Sequence, residues 1–233
     1  MNRFKSHRRG ATLVEMLVCL MLISILMTMA AASLSSASKI FVRIQKTQYA
    51  QSVLDTVMTE LRTLTQDATG YVKIYNSSQS IADTAGTTQG GDALEFMNSD
   101  GYAVLLTSSG CEQTNLYIGD QMTGTADAVT QGQLLARYYF VDSEDHYAYS
   151  VDGQPAARAV AAVFGQKFYM GNYLKVTYKI PSVTTTQENI SRVMATVELY
   201  SDADYQNLVA TDSEILEFRY PVKFNAGYTA VSK

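Results

Sequence analysis

The chain has 233 residues, enough for one globular domain plus an extended element, with 47% hydrophobic and 17% charged residues, an ordinary globular balance. That average hides a polarised layout: from Tyr71 to Lys233, 10 Lys/Arg stand against 18 Asp/Glu, a net of −8. An acidic outer part repels phosphates and anionic membrane surfaces, so generic electrostatic binding to nucleic acid is disfavoured.

Residues 1–10 carry Arg3, Lys5, Arg8 and Arg9 with no acid, and removing them would take the chain from −4 to −8. Ala11 to Ala32 then reads ATLVEMLVCLMLISILMTMAAA, with Glu15 as its one charge and neither Gly nor Pro. As a helix these residues span roughly 33 Å, against a bilayer hydrocarbon core of about 30 Å. Basic residues ahead of the run keep the N-terminus in the cytoplasm and send the rest outward.

A secretory signal peptide cut near Ala30-Ala31-Ala32 would have a shorter apolar stretch than this one. A lipoprotein signal at Cys19 would need a small residue where Val18 stands. A plain single-pass anchor explains everything except Gly10 and Glu15. A carboxylate in an apolar helix costs up to ~3 kcal/mol at the bilayer centre, and such residues carry function. Glu15 lies one helical turn after Ala11, on the same face. Cutting between Gly10 and Ala11 would create an ammonium within reach of that carboxylate, an attraction that strengthens where water is scarce.

The basic leader, Gly10 and the run Ala11-Thr12-Leu13-Val14-Glu15-Met16-Leu17 resemble the cleavage and methylation motif of type IV prepilins and type II secretion pseudopilins. The resemblance implies a membrane prepilin peptidase that cuts after Gly10 and methylates the new N-terminus at Ala11. It implies that Glu15 pairs with the N-terminus of a neighbouring subunit, with Thr12, Leu13 and Val14 as part of the motif. Other pilin or pseudopilin subunits, an inner-membrane assembly platform and membrane lipid are the implied partners. The family usually has Phe or Met where this chain has Ala11, and its major members often carry a Pro in the apolar helix. Here the prolines are Pro155, Pro181 and Pro221.

The helical pattern continues past the membrane. No Gly or Pro occurs from Ala11 to Thr69, and Gly70 reads as a helix stop. Ala50, Val53, Leu54, Val57, Met58, Leu61 and Leu64 recur at three- and four-residue steps, an apolar stripe for packing on a sheet. One helix from about Thr12 to Gln66 is expected, near 80 Å long at the standard rise. A coiled coil is the competing use of the stripe, but its spacing follows 3.6 better than a sustained heptad.

After Gly70 the sequence turns to strands and turns. Strands are expected at Tyr71–Tyr75, Ala93–Met97, Tyr102–Thr107, Leu116–Ile118, Leu134–Val141, Tyr147–Val151, Leu174–Ile180, Val193–Tyr200 and Glu214–Val222. Leu174–Ile180 and Val193–Tyr200 alternate, predicting one wet and one buried face. Asn76–Gly91 reads as a loop, and Arg158–Phe164 is left open between short helix and strand.

The fold expectation is therefore α+β, a pilin-like lollipop in which one very long N-terminal helix packs on an antiparallel β-rich C-terminal domain. Its parts are a basic leader at 1–10, a transmembrane and assembly half at 11–34, an amphipathic half at 35–69 and a β-rich extracytoplasmic domain at 70–233. An outer domain that large is unusual for a main structural pilin, and within the family it points to a minor pilin or minor pseudopilin.

Few residues offer chemistry. The histidines are His7 and His146, which removes a two-histidine metal site outside the leader. No phosphate-binding loop or serine elbow occurs, so no enzyme activity and no cofactor are expected. Asp142, Glu144 and Asp145 form an acidic knot of oxygen ligands for Ca²⁺, but lack EF-hand spacing and read better as a solvated turn. Cys19 and Cys111 lie too far apart in character to pair, so the outer domain rests on its core alone. The stretch after Gly70 holds 15 of the 16 tyrosines, to be read as strand cross-pairs or as an exposed aromatic patch. Two functions compete: a filament subunit for adhesion, motility, DNA uptake or secretion, and a membrane-anchored extracytoplasmic binding module that does not assemble.

Overall fold

The computed structural model describes residues 12–76, 90–118, 121–143, 147–151, 154–181 and 189–224. The expected loop at Asn76–Gly91 lies outside them over residues 77–89. The chain divides into two compact units, Met1–Gln48 and Tyr49–Lys233.

In the first unit the described residues are helical from Leu13, and every one of them is exposed. The helix, α1, ends at Gln66, as the uninterrupted run of helix-compatible residues predicts. Threonines along it turn their hydroxyls onto preceding carbonyls, as Thr56 does to Ser52 at 2.8 Å, which lets them sit within a helix.

In the second unit the stripe is buried as its spacing requires. Ala50, Val53, Leu54, Val57, Met58 and Leu61 are at most 2% exposed and join strand residues in one core. This settles the stripe against a coiled coil: it packs on a sheet.

The strands are β1 Ala68–Tyr75, β2 Ala93–Asn98, β3 Tyr102–Thr107, β4 Thr114–Ile118, β5 Gln121–Ala126, β6 Leu135–Phe140, β7 Ser150–Val151, β8 Gln154–Pro155, β9 Ala157–Ala162, β10 Tyr173–Lys179, β11 Asn189–Tyr200 and β12 Leu208–Phe224. Ten of them form one sheet in the order β10-β11-β12-β1-β2-β3-β6-β9-β4-β5, and β7 and β8 pair separately. Most neighbours are antiparallel, but β12 runs parallel to β1 and β4 parallel to β9. Arg158–Phe164, left open by its composition, is mostly strand β9, followed by a 3₁₀ turn at Gln166–Tyr169. That turn is fastened to the helix by the Tyr49 hydroxyl, which donates to the Phe168 carbonyl at 2.5 Å.

Gly70 is not the helix stop that its position suggested. It lies inside β1 at φ +65°, where the register with β2 shifts between Thr69 and Val72. A glycine supplies the left-handed residue of a bulge. The helix has already ended four residues earlier, and the strand begins two residues before Gly70.

The sheet's β10 edge is sealed. The amide of Leu174 donates to the Gly132 carbonyl at 2.9 Å, that of Val176 to Ser108 Oγ at 2.8 Å and that of Tyr178 to the Gly91 carbonyl at 2.7 Å. Three separate loops thus occupy donors that would otherwise invite another strand.

Alternation divides the core in two. Val72, Ile74, Leu94, Phe96, Val104 and Leu106 face the helix. Their odd-numbered neighbours Tyr71, Tyr75, Ala93, Ala103 and Leu105 form a second cluster with Tyr139, Tyr147 and Ala157 on the other face. β10 and β11 keep one buried and one wetter face as predicted.

Candidate functional site

The helix opens on a reciprocal cap. The Thr12 amide donates to Glu15 Oε2 at 2.8 Å, and the Glu15 amide donates to Thr12 Oγ1 at 3.3 Å. Thr12 and Glu15 therefore form a capping box, in which two otherwise unpartnered amides are satisfied. A negative side chain in the first turn also suits the positive end of the helix dipole. Leu13 and Val14 between them are 82% and 69% exposed. Gly10 and Ala11 lie outside the described residues.

Beyond this cap, Leu13–Gln66 is long and apolar enough to cross a membrane, and none of its most apolar stretch is buried within the chain. Leu17, Leu20, Ile23, Met27 and Leu34 are all about half exposed or more. A solvated helix would not be stable with so many apolar side chains in water. The stretch calls for apolar cover that the described residues of the chain do not supply.

The sequence's other candidates do not converge. Asp142 is half-buried beyond β6, and Glu144, Asp145 and His146 lie outside the described residues. Among the described residues, no group of three His, Cys, Asp or Glu side chains is placed to hold a metal ion. Cys19 is exposed on the helix and Cys111 half-buried in the outer unit, and both are free thiols. Many tyrosines are core: Tyr71, Tyr75, Tyr139, Tyr147, Tyr169 and Tyr178 are each under 2% exposed.

Three of those core tyrosines surround a feature that the sequence reading missed. Glu95 has no exposed surface, and its carboxylate accepts hydrogen bonds from the hydroxyls of Tyr71 at 2.8 Å, Tyr75 at 3.0 Å and Tyr147 at 2.7 Å. Lys73, equally buried, stands opposite it in the β1–β2 register. Burial lowers the Lys73 pKa, and the nearby Glu95 charge works against that shift. Burial and then the Glu95 charge push Tyr75 and Tyr147 well above the usual phenol range. A carboxylate taken out of water needs this number of donors. The available signal was a charge at an inward position of an apolar strand: Lys73 in Tyr71–Tyr75 and Glu95 in Ala93–Met97. Glu95 and Lys73 have no exposed surface, and the three hydroxyl bonds tie β1, β2 and Tyr147 to one carboxylate.

Comparison with known families identifies the prokaryotic N-terminal methylation motif over residues 5–31, covering the second half of the basic leader, Gly10, Glu15 and most of the apolar run. No curated protein and no solved structure matches the chain. The N-terminus is thus of the type IV prepilin and pseudopilin kind, on a chain whose long helix and antiparallel-rich sheet form the α+β architecture expected of that family.

Proposed function

We propose, with the N-terminal methylation motif as premise, that this chain is a minor pilin or minor pseudopilin, a structural subunit of a type IV pilus-like filament. In this reading a prepilin peptidase cuts after Gly10 and methylates Ala11. The mature subunit waits in the cell membrane with its N-terminus toward the cytoplasm and its β-rich unit outside. An inner-membrane assembly platform then moves it into a filament serving adhesion, motility, DNA uptake or type II secretion.

The observation that carries the reading is Glu15, the one charge in an unburied apolar helix stretch, one turn beyond the cleavage point. Its capping contact with Thr12 uses only Oε2 in the hydrogen bonds described. The other oxygen is then available to a neighbouring subunit's ammonium. A structural role also suits the buried, hydrogen-bonded character of the outer unit's polar cluster.

Mass spectrometry of the protein from its native membrane tests this directly. A chain beginning at methylated Ala11 is the expected result. A chain that still begins at Met1 overturns it, and favours the membrane-anchored binding module that never assembles.

A further inference from the structure

Between β4, β6 and the β7–β8 pair lies an open cleft of about 400 Å³. Its lining includes Gln113, Asn115 and Gln154, with Pro155 as an apolar wall and two charged side chains, Glu112 and Arg137. The size falls within the range of small-molecule sites.

Arg137 is the unusual member. It is half-buried on β6, on the sheet face that carries Lys73 and Glu95. Its Nη2 donates to the Gly110 carbonyl at 3.1 Å, and its charge works against the upward shift that burial gives the Tyr139 phenol. Its Nε is shielded from solvent and has no hydrogen-bond partner. Among the described residues no carboxylate lies at ion-pair distance from it. Glu95 is two strands away, roughly 10 Å at normal strand spacing, and already accepts from three tyrosines. A guanidinium has five donors in a planar fork matched to a carboxylate, and a half-buried cation without a counter-charge is costly.

We propose that this cleft is a binding site for a monocarboxylate, seated on the Arg137 guanidinium. Glu112, the carboxylate in the lining, repels a second negative charge, so the site favours one over two. The amides of Gln113, Asn115 and Gln154 offer both donors and acceptors to neutral polar groups beside that carboxylate. A peptide C-terminus and a small free polar acid share this chemistry. The site does not depend on filament assembly, so it stands or falls separately from that reading.

Isothermal titration of the full chain in detergent micelles tests it with four probes: acetate, the tripeptide glycylglycylalanine, its C-terminal amide and inorganic phosphate. The free-acid tripeptide should bind saturably, and the amide at least about tenfold more weakly, since it lacks the charge the fork recognises. R137K, which keeps the charge but not the fork, should weaken binding about fivefold or more, and R137M should remove it while thermal melting stays cooperative. If R137M does not fold, the acid-against-amide comparison on the unaltered protein decides alone. Acetate binding as tightly as the tripeptide would identify a free acid as the source, and a tighter tripeptide would identify a peptide terminus. Equal binding of acid and amide, no saturable carboxylate binding, phosphate bound as tightly as the acids, or full binding by folded R137M would each overturn the proposal.

Discussion

Lys73 and Glu95 face each other across β1 and β2, a cation and an anion with no exposed surface at the centre of a ring of tyrosines. Replacing Glu95 by Gln removes the negative charge and puts an amide donor among three hydroxyl donors. Glu95→Gln should destabilise the outer unit by about 2–4 kcal/mol, the range for losing charged hydrogen bonds and a buried counter-charge. Urea unfolding followed by circular dichroism would measure it. A midpoint within error of the parent would show that the cluster contributes nothing to cohesion.

The buried phenols make the fold sensitive to alkali. Tyr169, whose hydroxyl accepts from the Leu134 amide at 3.0 Å, is nonetheless pushed up to about 12 by burial, and Tyr75, Tyr147 and Tyr178 are raised too. Their folded-state pKa values exceed the unfolded value near 10, so the folded chain holds these protons more tightly. The corresponding stability is complete below about pH 10 and is lost as pH rises toward and through the folded values. Absorbance at 295 nm should show one set of tyrosines ionising near pH 10 and a second only as the circular dichroism signal collapses. Titration of every tyrosine near pH 10 in an intact fold would refute this.

Two leucines on the same helix should behave in opposite ways. Leu54 is completely buried in the core, and Leu34 is 70% exposed. Leu54→Ala should cost about 2–5 kcal/mol of outer-unit stability, whereas Leu34→Ala should leave that stability within about 0.5 kcal/mol. Parallel melts of the two variants in micelles compare them, and similar losses would contradict the packing described for the stripe.

Sealing of the β10 edge depends on a glycine. Gly91 exchanges two backbone hydrogen bonds with Tyr178, and a Cβ there would lie 2.2 Å from the Tyr75 carbonyl oxygen. Because backbone cannot yield as a side-chain tip can, Gly91→Ala should destabilise the fold by more than about 2 kcal/mol. Amide exchange at Tyr178 should accelerate in the same variant, and unchanged protection there would count against the sealing role.

At the N-terminus, Thr12→Val removes the hydroxyl that caps Glu15 and should cost about 1 kcal/mol in the first helical turn, read as faster amide exchange at Glu15 in micelles. Glu15→Ala should leave membrane insertion intact yet prevent incorporation into filaments. Normal incorporation of that variant would remove the role assigned to the carboxylate.

The long helix was legible because both of its signals are local: an unbroken apolar run, then a 3.6-residue stripe that the structure buries except for a half-buried Leu64. Strands with strong β-branched and aromatic content were legible for the same reason, Tyr102–Thr107 to the residue. Gln121–Ala126 was not, since its Thr, Gly and Ala hold no alternating pattern and only its pairing with β4 makes it a strand. Gly70 misled because a left-handed glycine serves a helix end and a strand bulge equally well. The Glu95 cluster could not be assembled in advance, for Tyr147 reaches Glu95 across 52 residues of chain. Arg137 stayed hidden likewise, as its meaning lies in what tertiary structure fails to place beside it.

One topological fact governs how such a molecule comes into being. β12 lies between β11 and β1, joining β10–β11 to the seven strands that begin with β1. Until this late segment has been synthesised, the earlier strands meet β10 only through the loop contacts of Gly91, Ser108 and Gly132, and the sheet itself is interrupted. A nascent copy lacking β12 would therefore leave the β1 and β11 edges unpaired and open to proteases, and completion of the sheet becomes a single late event instead of a stepwise accretion.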